Sequence, residues 1–263
     1  MANEVINPGI GVKAQKYLSI DNQYRRVARF YPALMTVAML IPIAIMLGIP
    51  LSGWLLATSA GGGLAVATAV VAHLSHLASA AGNRLQVKLY PNWPHDSPTN
   101  LRLHPNDPTA STQQKQLWYE SILRLTGLDI SVVANDPAEA ARVINDAVVI
   151  LRTKLFIGNK LAERLDLHNA DYGLSRNFAG LRVVWLLTSM SSCVGCWTIY
   201  AIRQENLLFP AVASAVFAGC VLAAFVIEDY VRHTARHYAD SFFGALLACD
   251  EACQAKAKKK AVL

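Results

Sequence analysis

The chain has 263 residues, 54% of them apolar, a mean hydropathy of +0.30 and a formal net charge of +6. No charged residue lies between Arg29 and Arg84, between Arg182 and Arg203, or between Glu205 and Glu228, a pattern that excludes an ordinary water-soluble domain. The basic excess at the two ends of the chain suits anionic lipid headgroups, so the charge does not call for nucleic acid.

Residues 1–29 carry Tyr17, Leu18, Ile20, Tyr24 and Val27 among Lys13, Lys16, Arg25, Arg26 and Arg29. This pattern predicts a cytoplasmic interfacial helix lying on the inner leaflet. A polar, basic start of this kind lacks the short apolar core of a cleavable secretory signal.

Residues 30–83 are expected to form transmembrane hairpin 1. A helix needs about 20 residues to cross the hydrocarbon core, so this charge-free run holds two spans, near 31–48 and 53–79, joined through Gly48–Ser52. Pro42 predicts a bend in the first span because proline removes a backbone donor. The second is rich in Gly and Ala (Gly61, Gly62, Gly63, Ala65, Ala67, Ala69), which lets membrane helices approach closely. Tight packing explains that composition; a pore lined by Thr58, Ser59, Thr68, His73 and His76 is the functional alternative, because polar groups at membrane depth need protein or water to face.

Residues 84–181 hold eleven Lys or Arg and ten Asp or Glu, and read as a helical cytoplasmic domain. Ser111 or Thr112 should cap a helix ending at Gly127, and Asp136 one that begins with Pro137 and runs to about Ile157. The Pro-rich stretch 95–109 reads as an ordered loop or linker rather than a helix. Arg102, Tyr172, Arg176 and Asn177 lie in the most distinctive polar strings. They are candidate ligand-binding residues, since guanidinium groups offer a two-pronged donor to phosphate or carboxylate; fixing the loop against the helices is the structural alternative.

Residues 182–227 should form transmembrane hairpin 2, whose two spans turn at Arg203–Asn206, and 228–263 a cytoplasmic C-terminal helix and basic tail. Arg203 is the only one of the 24 Lys and Arg residues in an expected outer loop, which places both termini in the cytoplasm. Cys193 and Cys196 have the spacing of a redox or metal pair, but in mid-span they read as small packing residues. His233 and His237, four apart on a helix, could hold a metal or respond to pH together with His73 and His76, or could simply mark the membrane boundary.

The strings Asp96-Ser-Pro-Thr99, Leu125-Thr-Gly-Leu-Asp129 and Tyr172-Gly-Leu-Ser-Arg-Asn-Phe-Ala-Gly-Leu-Arg182 resemble those of uncharacterised bacterial four-transmembrane proteins. The layout of two hairpins around a cytoplasmic domain is similar to that of pore-forming membrane effectors of anti-phage defence systems. The expectation is thus an all-α membrane protein with four transmembrane helices in two hairpins flanking a helical cytoplasmic domain, in the bacterial inner membrane. That layout implies a homo-oligomer acting as a channel or membrane-disrupting effector, gated by a cytoplasmic protein partner or a small anionic ligand. A non-conducting scaffold that recruits a cytoplasmic partner, and a His-liganded haem or metal protein, are the alternatives. No catalytic residue, metal site or cofactor is assigned.

Overall fold

The structure of the protein, a computed structural model, describes residues 24, 26–48, 62–132, 136–156 and 160–261. The described residues are helical throughout their regular structure, with no strand among them. A π-helical turn, Arg26–Phe30, precedes α1 (Tyr31–Ala38) and α2 (Ile41–Met46). There follow α3 (Gly62–Leu89), α4 (Pro98–Leu103), α5 (Thr112–Thr126), α6 (Pro137–Phe156), α7 (Lys160–Gly180), α8 (Arg182–Arg203) and α9 (Leu208–Ala261).

The local signals act where the sequence places them. Ser111 caps α5 by accepting from the Gln114 amide at 3.2 Å, and the helix stops at Gly127, whose φ of +80° suits a residue without Cβ. Asp136 accepts from the amides of Ala138 and Glu139 at 3.0 and 3.2 Å at the start of α6. The 95–109 stretch, expected to be non-helical, contains α4: Ser97 caps it by accepting from the Asn100 amide at 3.3 Å, and Pro98 occupies the first turn, where its missing N–H costs nothing. In the first charge-free run the helix breaks at Met39 and Leu40, just before Pro42 enters the first turn of α2.

The chain divides into two compact units. One contains residues 87–172 together with 233–261. Its core joins Leu103, Trp118, Ile122, Ile130, Ile144, Leu151, Leu155 and Leu165 to Tyr238, Phe242, Phe243 and Leu246 of α9. Trp118 and Phe243 stack at 4.0 Å. The C-terminal segment is therefore a central helix of this unit rather than an appendage. Lys115, itself buried, donates its ammonium to the carbonyls of His104 and Pro105 at 2.9 Å, and also to that of Asp107, which fastens the loop after α4 onto α5.

The other unit contains the described part of 23–86 and residues 173–232. Its smaller core is built around Ala78, Leu181, Trp185 and Cys220, with Phe178 stacked on Trp185 at 5.4 Å. Two helices, Arg182–Arg203 and Leu208–Lys260, are long and apolar enough to cross a membrane, and only 22% of the apolar window of each is buried. Of the four expected spans, these are the two that the described helices supply at that length and apolarity. In the first charge-free run, α1 and α2 have 8 and 6 residues, each shorter than a bilayer crossing requires. Residues 49–61, where the second span should begin, lie outside the described part.

Between α8 and α9, Gln204 and Asn206 adopt φ of 52° and 55°, left-handed values that let four residues reverse the chain. Arg203 donates to the Met46 carbonyl at 3.1 Å, placing its charge at the C-terminal end of α2, where unpaired carbonyls favour a cation.

Candidate functional site

The string Tyr172–Arg182 lies on α7 and the start of α8. Asn177 is fully buried; its amide nitrogen donates to the Ala28 carbonyl at 2.6 Å and its oxygen accepts from Arg176 Nε at 3.3 Å. The Arg176 guanidinium also donates to Gln86 of α3. One asparagine thus joins the N-terminal segment to α7, and the neighbouring arginine joins α7 to α3.

The close approach of α3 and α7 explains two glycines. A Cβ on Gly180 would lie 2.5 Å from the Gly82 nitrogen, and one on Gly82 would lie 2.2 Å from Asn177 Oδ1. This is small-residue packing of the kind that membrane helices use. Tyr172 is buried and belongs to the other unit. Arg102 is also in that unit, ion-paired with Asp240 of α9. The structure therefore brings Arg176 and Asn177 together, adds Gln86 to them, and gives Arg102 a separate acidic partner.

No protein-family model, curated protein or solved structure matches the chain.

Among the candidate pore residues, Thr58 and Ser59 lie outside the described residues, and Thr68 is in α3 with its side chain outside them. His73 and His76 are exposed, one turn apart on α3. The hydroxyls of Ser75, Thr188, Ser189, Thr198 and Ser214 each donate to a carbonyl three or four residues earlier, at 2.7 to 3.0 Å. A hydroxyl satisfied in this way can face lipid or protein without an aqueous path. Arg182 and Glu228, at the ends of the charge-free runs, pair at 2.6 Å, so each charge there has a counter-charge. Cys196 is fully buried, and the Cys193 thiol lies 3.5 Å from the Ser214 hydroxyl, so this pair packs helices together. All five cysteines are free thiols.

The histidine pair gains a neighbour that spacing did not disclose. His237 Nε2 and His233 Nε2 are 2.9 Å apart, and the His168 ring of α7 lies 6.0 Å from that of His237. His168 Nδ1 is 2.6 Å from Ser241 Oγ and 3.2 Å from the His237 carbonyl, and so fastens α7 to α9. Among the described residues no group of three or more His, Cys, Asp or Glu side chains is arranged to hold a metal.

A second polar cluster in the same unit joins α5 to α9. Asp250 of α9 is 4% exposed. It accepts from Arg124 Nη2 at 2.7 Å, from Arg124 Nε at 3.1 Å, and from Ser121 and Gln254 at 3.0 Å each. These donors, the guanidinium first, hold its carboxyl below the ordinary carboxylate range, and the pairing raises the arginine in turn. Burial pushes the Tyr119 phenol up to about 12, with its hydroxyl donating to the Leu103 carbonyl at 2.6 Å. Neither α-helical cap nor hydrophobic period marks this Arg124–Asp250 pair, because its members are 126 residues apart.

Proposed function

We propose that the chain is a four-span protein of the bacterial inner membrane that assembles into homo-oligomers. The assembly works as a channel or membrane-disrupting effector under the control of a cytoplasmic signal. The observation that carries this reading is the apolar surface that α8 and α9 leave unburied, including Leu222 at 70% and Phe225 at 80% exposure. Lipid or another copy of the chain must cover such a surface, since leaving it in water costs roughly 25 cal/mol for each Å².

Association has a specific support on α9. Ala211, Ala215 and Gly219 are all exposed and recur every four residues, so they fall along one face. A Cβ on Gly219 would meet nothing within 4 Å in its own chain, unlike one on Gly82 or Gly180. This small-residue face is free for the close backbone approach that drives membrane helices together. In this reading the helical unit formed by 87–172 and 233–261 receives the signal, and Arg176, bound to Gln86 in the other unit, is required for the response.

The test is dye uptake by cells producing the chain, combined with crosslinking in isolated membranes. Gly219→Leu, at a position where an added Cβ meets nothing in its own chain, should abolish both crosslinked species and dye entry. Arg176→Ala should insert normally yet lose regulated dye entry. Oligomers that persist in Gly219→Leu would refute the proposed interface, and oligomers in membranes that stay tight under every condition would refute conduction.

A further inference from the structure

We propose that His233 and His237 form a two-imidazole site for a divalent transition-metal ion that favours right-angled coordination, namely Cu²⁺ or Ni²⁺. The site is separate from the membrane-permeabilising role and does not depend on it. Both side chains are exposed on α9, one helical turn apart, so the ion has access from solvent and needs no cavity.

The geometry selects the class of metal. The two Nε2 atoms are 2.9 Å apart. Metal–imidazole bonds are about 2.05 Å, so this separation corresponds to an N–metal–N angle of about 90°. A tetrahedral zinc site would spread the same two nitrogens to about 3.3 Å. Right angles are the preference of square-planar or tetragonal ions with nitrogen ligands.

In the metal-free protein one imidazole must donate a proton to the other, since the two Nε2 atoms are within hydrogen-bond distance. When the ion binds, the ring that donated exchanges its Nε2 proton through water for one on Nδ1, so that both rings remain neutral and each presents an Nε2 lone pair to the metal. The rings stand at 89° to each other with centroids 4.3 Å apart. Water completes the coordination. His168, whose ring centroid is 6.0 Å from that of His237, does not join them as a third ligand, since no three His, Cys, Asp or Glu side chains among the described residues are arranged to hold a metal. Arg236, exposed beside the pair, opposes a cation and keeps the affinity below that of a site with a carboxylate.

The experiment uses the full chain without an affinity tag, in detergent, titrated with CuCl₂, NiCl₂ or ZnCl₂ and followed by calorimetry, with pulsed electron paramagnetic resonance on the copper form. One Cu²⁺ per chain should bind with two imidazole couplings, and ten-fold or more tighter than Zn²⁺. His233→Gln and His237→Gln should each weaken Cu²⁺ binding by at least ten-fold, whereas His168→Gln leaves it unchanged. The proposal is overturned by copper binding that both His233→Gln and His237→Gln leave intact, by equal losses in His168→Gln, or by a spectrum with three imidazole couplings. Absence of saturable copper binding in the wild-type chain overturns it as well.

Discussion

Removing Arg124 should harm the protein more than removing the charge on Asp250. Asp250 is 4% exposed, whereas the Arg124 side chain is 43% exposed. In Arg124→Met the carboxylate stays inside with only Ser121 and Gln254 as donors. Stranding one member of a fully buried pair costs about 3–5 kcal/mol. Here one partner faces solvent and is already screened, so a loss of about 2 kcal/mol is expected. In Asp250→Asn the guanidinium turns toward water and Glu120, 3.6 Å away, and the cost falls to about 1 kcal/mol.

The pH dependence carries a sign. A carboxyl whose folded pKa is depressed adds stability that is fully present above its unfolded value, about 3.9, and disappears as pH falls toward the folded value. The gap between wild type and Arg124→Met should therefore be full at pH 7 and close as the pH drops below about 4, because protonation removes the stranded charge. Urea unfolding in detergent, followed by the near-ultraviolet tryptophan signal to which Trp118 of the same core contributes, measures both quantities. A larger loss for Asp250→Asn than for Arg124→Met, or a gap that does not change with pH, would refute the account.

Gly82→Ala should lower thermal stability markedly, since its methyl would press on Asn177 Oδ1, while Gly219→Ala has open space and should be neutral or gain up to about 1 kcal/mol from helix propensity. Tyr119→Phe removes one hydrogen bond and should cost about 1 kcal/mol at pH 7. Because burial raises the phenol pKa, the folded state is favoured below the unfolded value of about 10 and that advantage is gone above the folded one, so the wild-type chain should lose stability between pH 10 and about 12 in an alkaline melt by an amount that Tyr119→Phe does not. Lys115→Met leaves three carbonyls without their ammonium and should cost about 2 kcal/mol, read as earlier proteolysis of the 104–109 loop. Cys253 is exposed and should react with maleimide at pH 7 well before Cys249, whose thiol is pushed up by burial.

The sequence by itself determined what depends on neighbours along the chain. Ser111, Gly127, Asp136 and Pro137 set helix ends because each acts on backbone within four residues, and the charge-free runs 183–202 and 206–227 fix two long apolar helices through length and solvation alone. The same local reasoning misjudged 95–109, where proline density concealed a one-and-a-half-turn helix that Ser97 and Pro98 begin. Tertiary structure decided everything that joins distant residues. Only packing could place Phe242 and Leu246 in a core with Trp118, bury Asp250 against Arg124, engage Asn177 with the Ala28 carbonyl, and bring His168 to Ser241 beside His237. Side-chain type and helical spacing say which groups can pair, but partners from 69 to 149 positions apart meet only when whole helices pack.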